Sequence, residues 1–180
     1  MKNLLIPGLL LAITLPPAAQ AAKPKPPKSV VNKAWAFRLN LPKGSHWKET
    51  GEGTFELSLA PFKGQDWIQS AILDLEVSKV TDGDAENPVD ADPDAVISKF
   101  VAGNLEWEKS VGGSAGAGHT MITVSYTAMT VSHQYHLVGI LSATNPELME
   151  GSKVRSWDPD KAAQKVFDGI LNGFRSLDLP

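Results

Sequence analysis

One glycine-rich run in this chain carries two overlapping motifs that could do chemistry. Gly112-Gly113-Ser114-Ala115-Gly116 matches G-x-S-x-G, the elbow that exposes a nucleophilic serine in serine hydrolases. The elbow needs a strand before the serine and a helix after it. Here the run leads into His119-Thr120-Met121-Ile122-Thr123-Val124, which is alternating and β-branched and so predicts a strand. Gly113 to Thr120 also nearly spells a phosphate-binding loop. His119 stands where the lysine belongs, and without a helix N-terminus no convergent set of N–H groups meets the phosphate. The run is expected to be a hairpin loop, Gly112–Gly118. A small hydrolase using Ser114 with His119 or another histidine remains the alternative reading.

Metal chemistry has two candidates. The stretch from Asp82 to Asp94 holds six acids and no base. An EF-hand loop needs glycine at its sixth position and glutamate at its twelfth. Counting from Asp82 gives Asn87 and Pro93, and counting from Asp90 gives Ala95 and Val101, so both frames fail. A self-repelling solvated loop is the plainer reading, with calcium- or metal-dependent binding through residues 82–94 as a second alternative. The histidines do not converge either. His119 and His133 flank one predicted strand and so stand about 30 Å apart. His133 and His136, three apart on a strand, point to opposite faces. No residue is assigned a catalytic, cofactor-binding or metal-ligating role. Trp47 and Trp67 stand in polar surroundings, GSHWKET and KGQDWIQ. Each is a candidate partner-binding anchor, and equally a plug for its loop.

Periodicity describes the frame behind these residues. Trp35, Phe37, Leu39 and Leu41 alternate with polar neighbours, as do Phe55, Leu57 and Leu59, and then Leu73, Leu75 and Val77, which predicts three half-buried strands. Asp92-Pro93-Asp94 reads as a helix start, with Ile97, Phe100, Val101 and Leu105 at helical spacing behind it. A strand near Trp107 and another through Ile122, Val124, Tyr126 and Ala128 follow. Residues 135–142 read as a strand covered on both faces. Asp158-Pro159-Asp160 caps a closing helix whose apolar stripe is Ala163, Val166, Phe167, Ile170, Leu171 and Phe174.

The N-terminus carries an address. Lys2, the apolar run Leu4–Leu15 and Ala19-Gln20-Ala21 read as a cleavable signal peptide over residues 1–21, cut after Ala21. Residues 22–33 (AKPKPPKSVVNK) read as a Pro/Lys-rich linker. A single domain then spans residues 34–180. The chain has no cysteine, so the exported domain has neither disulfides nor a lipidated cysteine, and no stable membrane insertion of the mature chain is expected. From Ala34 onward 12 Lys and Arg stand against 20 Asp and Glu, a net charge of −8, which argues against nucleic acid as a partner.

The order of elements resembles a known group. The strand and turn FRLNLPKGSHW, the segment GHTMITVSYTAM and the helix DPDKAAQKVFDGILNGF together resemble the PsbP-like fold, and within it the bacterial periplasmic DcrB-like proteins. The resemblance covers most of residues 34–177. It implies an α+β domain, an antiparallel β-sheet flanked by helices in an α/β/α sandwich. It also implies a non-enzymatic role, since PsbP proteins are extrinsic subunits of a membrane complex and DcrB-like proteins serve the bacterial envelope. DcrB-like proteins are often lipid-anchored, and this chain has no cysteine to anchor. The expectation is a periplasmic accessory or adaptor protein, not an enzyme, that needs no cofactor and binds an envelope protein or complex.

Overall fold

The computed structural model describes residues 28–81, 97–154 and 156–178. The signal peptide, most of the linker and the acidic stretch 82–94 lie outside the described residues. Among the described residues there are ten strands: β1 Ser29–Asn32, β2 Phe37–Asn40, β3 His46–Gly51, β4 Thr54–Ser58, β5 Ile68–Lys79, β6 Ser98–Ala102, β7 Leu105–Gly116, β8 His119–Met129, β9 His133–Thr144 and β10 Phe174–Ser176. A 3-10 turn covers Pro146–Leu148, and α1 spans Pro159–Leu171. The strands form a large seven-stranded sheet, ordered β3-β4-β5-β9-β8-β7-β6, and a small three-stranded sheet, β1-β2-β10. All pairings are antiparallel.

This architecture corrects the expected α/β/α sandwich. The described chain is mostly β, with two antiparallel sheets and one α-helix, so no helical layers flank the large sheet. The correction turns on Ile97–Leu105. Helical spacing groups Ile97, Phe100, Val101 and Leu105, but Ser98–Ala102 is a strand paired with Leu105–Lys109. Gly103 decides the outcome. It adopts φ 68° and turns the chain back within two residues, which a helix could not do. Phe100 and Ala102 then face the core, while Lys99 and Val101 face solvent. The expected cap at Asp92–Asp94 lies outside the described residues.

Three smaller expectations also change. The linker 22–33 is too long at its C-terminal end, because Val30 and Val31 are β-branched and Ser29–Asn32 pairs in register with Phe37–Asn40. The loop expected at Gly112–Gly118 shrinks to Ala117 and Gly118, with φ 49° and 79°. Two consecutive positive φ values form the two-residue turn that matches strand twist, so β7 runs straight through Gly112–Gly116. β9 is covered on one face only, since its burial alternates along its whole length. Val138 and Ile140 make the sequence look continuously apolar while pointing away from the core.

The closing helix forms as its sequence dictates. The Asp158 carboxylate accepts the Lys161 N–H at 3.0 Å, and Pro159 occupies the first turn, where its missing N–H costs nothing. Ala163, Phe167, Ile170 and Leu171 are buried against the large sheet. Phe174, the last member of the predicted stripe, instead begins β10. It stacks on Phe37 at 5.8 Å and meets Trp107 and Tyr135 edge-on at 5.2 Å each. One aromatic side chain thus joins the small sheet to the large one. No described helix is long and apolar enough to cross a membrane.

Candidate functional site

The strand period of two sorts the large sheet into a packed face and an open one. Leu73, Leu75, Val124, Tyr126, Leu137 and Leu141 point inward, beneath α1 and the small sheet. The alternate positions, Ile72, Asp74 and Glu76 on β5, Thr123 and Ser125 on β8, and Val138, Ile140 and Ser142 on β9, point outward. No described element lies over them. The middle of the open face is apolar where Ile72 stands opposite Ile140, with Val138 two residues along β9, and Asp74 opposite Val138 marks its charged margin. Serines and threonines of β8 and β9 extend from it towards β7.

Charge gathers on the β3–β5 side of this face. Lys48 pairs with Glu56 at 3.0 Å, and the contact holds the Glu56 carboxyl below its usual range. Asp74, opposite Glu56 in the register, is pushed up by partial burial and by that neighbouring carboxylate. His136, opposite Glu76, is pushed down by burial, which the glutamate opposes. The open face therefore holds a half-buried histidine that resists charging opposite Glu76, and, opposite Val138, an aspartate that resists ionising.

Ser114 occupies the far corner of the same face. It lies within β7 opposite Met121, so no helix follows it and the elbow geometry is absent. It shares a shallow depression of about 270 Å³ with Gln69, His119 and Ser142. The His119 ring nitrogen Nδ1 is 3.4 Å from the Thr144 hydroxyl, which also accepts from Gln69 at 3.0 Å. No carboxylate lines this depression among the described residues. The corner offers hydroxyls and one imidazole without the acid that would orient a catalytic histidine.

A buried polar cluster that sequence reasoning missed sits on the packed side. His133 Nδ1 is 2.6 Å from Asp178 Oδ2, and the Thr130 hydroxyl donates to the same oxygen at 2.9 Å. Burial raises the Asp178 carboxyl, but hydrogen bonds from His133, Ser132 and Thr130 outweigh it and hold it below its ordinary range. His133 lies against Trp35 and Tyr135, and its Nε2 has no hydrogen-bond partner. The cluster fastens the last described residues to the β8–β9 turn, so its geometry is that of a clasp. Its only sequence signal is the pairing of a histidine just after a turn with an aspartate near the C-terminus, 45 residues apart. His133 and His136 do face opposite sides, as their spacing requires.

The two tryptophans do not converge. Trp47 lies in β3, not in a loop. It stacks on Phe55 at 5.3 Å and meets Phe37 edge-on at 6.1 Å. Trp67 precedes β5 and packs half-buried on the core, with its indole N–H enclosed and unpaired. Both pack as plugs in this conformation.

No protein-family model matches the chain, and no curated protein matches it well enough to count as a relative. Among solved structures, it is similar to a crystal structure at 1.50 Å resolution from Bacteroides thetaiotaomicron VPI-5482, with a TM-score of 0.51 and 12% identity. The match covers 84% of this chain and 49% of the other, so this chain spans about half the length of that neighbour. At that identity the likeness concerns the fold alone.

Proposed function

We propose that this chain is a non-enzymatic exported accessory or adaptor protein that binds an envelope protein or complex. One observation carries the reading: the large sheet packs one face and leaves the other uncovered among the described residues, with Ile72, Val138 and Ile140 at its centre. Contiguous apolar surface rimmed by polar groups marks interaction sites on soluble domains. The signal-peptide reading of residues 1–21, a proposal in its own right, points the same way. Trp47 and Trp67 enter this reading as supports for the core and not as anchors.

Two measurements test it together. Fractionation should place the protein outside the cytoplasm with Ala22 as its first residue. Affinity capture from solubilised envelope should enrich the same proteins with the wild type and with Lys161→Ala, and lose them with Ile140→Glu. Equal capture by Ile140→Glu would remove the open face from the account. Retention of the full chain in the cytoplasm would remove the envelope.

A further inference from the structure

We infer that a second copy of this chain pairs with the free edge of β7 over Gly112–Gly116, joining two large sheets across a two-fold axis. This goes beyond the adaptor reading and rests on different residues. β6 pairs with β7 only from Leu105 to Lys109, while β8 pairs with β7 through Gly116. From Ser110 to Gly116 the side of β7 facing away from β8 therefore has no strand beside it among the described residues. Backbone groups in that geometry are solvated or paired by an extended chain, for which they are a ready template.

The other edges are guarded and this one is not. β3 carries Lys48 and Glu49 and a register shift between Glu49 and Gly51. β6 has five residues and carries Lys99, and β1 has only four. β10 has three residues, and Asn104 binds its Ser176 backbone at both N–H and C=O. By contrast, Ser110–Gly118 holds no charged residue in a region that is −8 from Ala34 onward. Two copies can meet there without bringing like charges together. Gly112 and Gly116 have open space around their Cβ positions, and residues 112–117 are all exposed. Edges that natural sheets leave long, neutral and flat are the ones that pair.

Sterics limit the register. Ser98 sits opposite Lys109, so the incoming Ala117–Gly118 turn must stop short of that position. A two-fold at Ser114 achieves this. It sets Gly112 opposite Gly116 and Gly113 opposite Ala115, and Ser114 faces its own copy. Directly opposed residues in antiparallel strands have Cα atoms about 4.5–5.5 Å apart, within disulfide range.

The chain has no cysteine, so single substitutions report cleanly. Sedimentation of the purified chain should show a monomer converting to a dimer as concentration rises. Gly112→Asp with Gly116→Asp should give monomer, and Gly112→Lys with Gly116→Asp should restore the dimer. Ser114→Cys should oxidise to a linked dimer at least tenfold faster than Met121→Cys, its exposed neighbour on β8. The cysteine pair decides independently of the charged variants. A wild type that stays monomeric into the millimolar range, a dimer that survives the double aspartate variant, or equal linking rates at the two cysteines would overturn the proposal.

Discussion

Gly139 sits where α1 presses on the large sheet, and adding one carbon there measures that packing. A Cβ on Gly139 would lie 2.5 Å from Cγ of Phe167 and 2.6 and 2.7 Å from its two Cδ atoms. Ordinary contact begins near 3.4 Å, so the ring must retreat by about 1 Å. Phe167 is fully buried, with Ala163 and Leu171 buried on the same helix face, so a retreat moves the helix. Overpacking of this kind costs about 1–3 kcal/mol. Alanine gains about 0.5–1 kcal/mol over glycine in regular structure, which offsets part of it. The net expectation for Gly139→Ala is a loss of about 1–2 kcal/mol. For a domain of this size that lowers Tm by roughly 2–8 °C. Urea unfolding followed by tryptophan fluorescence is the assay, with an unchanged slope and a lower midpoint expected. The loss should be coupled to the ring, so Gly139→Ala with Phe167→Leu should cost less than the sum of the two single changes. Equal or greater stability in Gly139→Ala would refute the close approach of helix and strand.

Three further outcomes rest on other contacts. Asp178→Asn should destabilise by about 1–3 kcal/mol in chemical unfolding, since it weakens the bonds to His133 and Thr130. Because the folded carboxyl is held low, that stabilisation is present above an unfolded pKa of about 3.9 and is lost as pH falls through the folded value. The acid limb of the stability curve should therefore flatten in Asp178→Asn. His136 is held below its ordinary value, so the unfolded chain takes up its proton first as pH falls through about 6.5. Stability should fall in that window, and His136→Gln should abolish this part of the slope. Trp47→Ala should lower stability by about 1–2 kcal/mol through loss of its stack on Phe55, whereas an unchanged midpoint would show that the ring packs elsewhere.

The sequence reads well where one physical signal dominates. The stripe Ala163–Leu171 and the cap at Asp158 fix α1 because propensity, capping and burial agree there. The alternation at Phe37, Phe55 and Leu73 finds β2, β4 and β5 for the same reason. Elsewhere tertiary pairing overrides the local pattern. Ser98–Ala102 has both a helical and a strand period, and a five-residue window cannot separate them until Gly103 turns the chain. Gly112–Gly116 has poor strand propensity and is extended because β8 pairs with it. The open face stayed hidden because Val138 and Ile140 imitate core residues. The His133–Asp178 clasp is a contact between distant segments, and no local spacing announces it.

The large sheet buries one face and presents the other. Single cysteines placed in this cysteine-free chain test it directly through maleimide labelling of the native protein. Val138→Cys and Ile140→Cys should label rapidly, while Leu137→Cys and Leu141→Cys should label only after urea is added. Protection at all four positions, or equal labelling of adjacent residues, would contradict it.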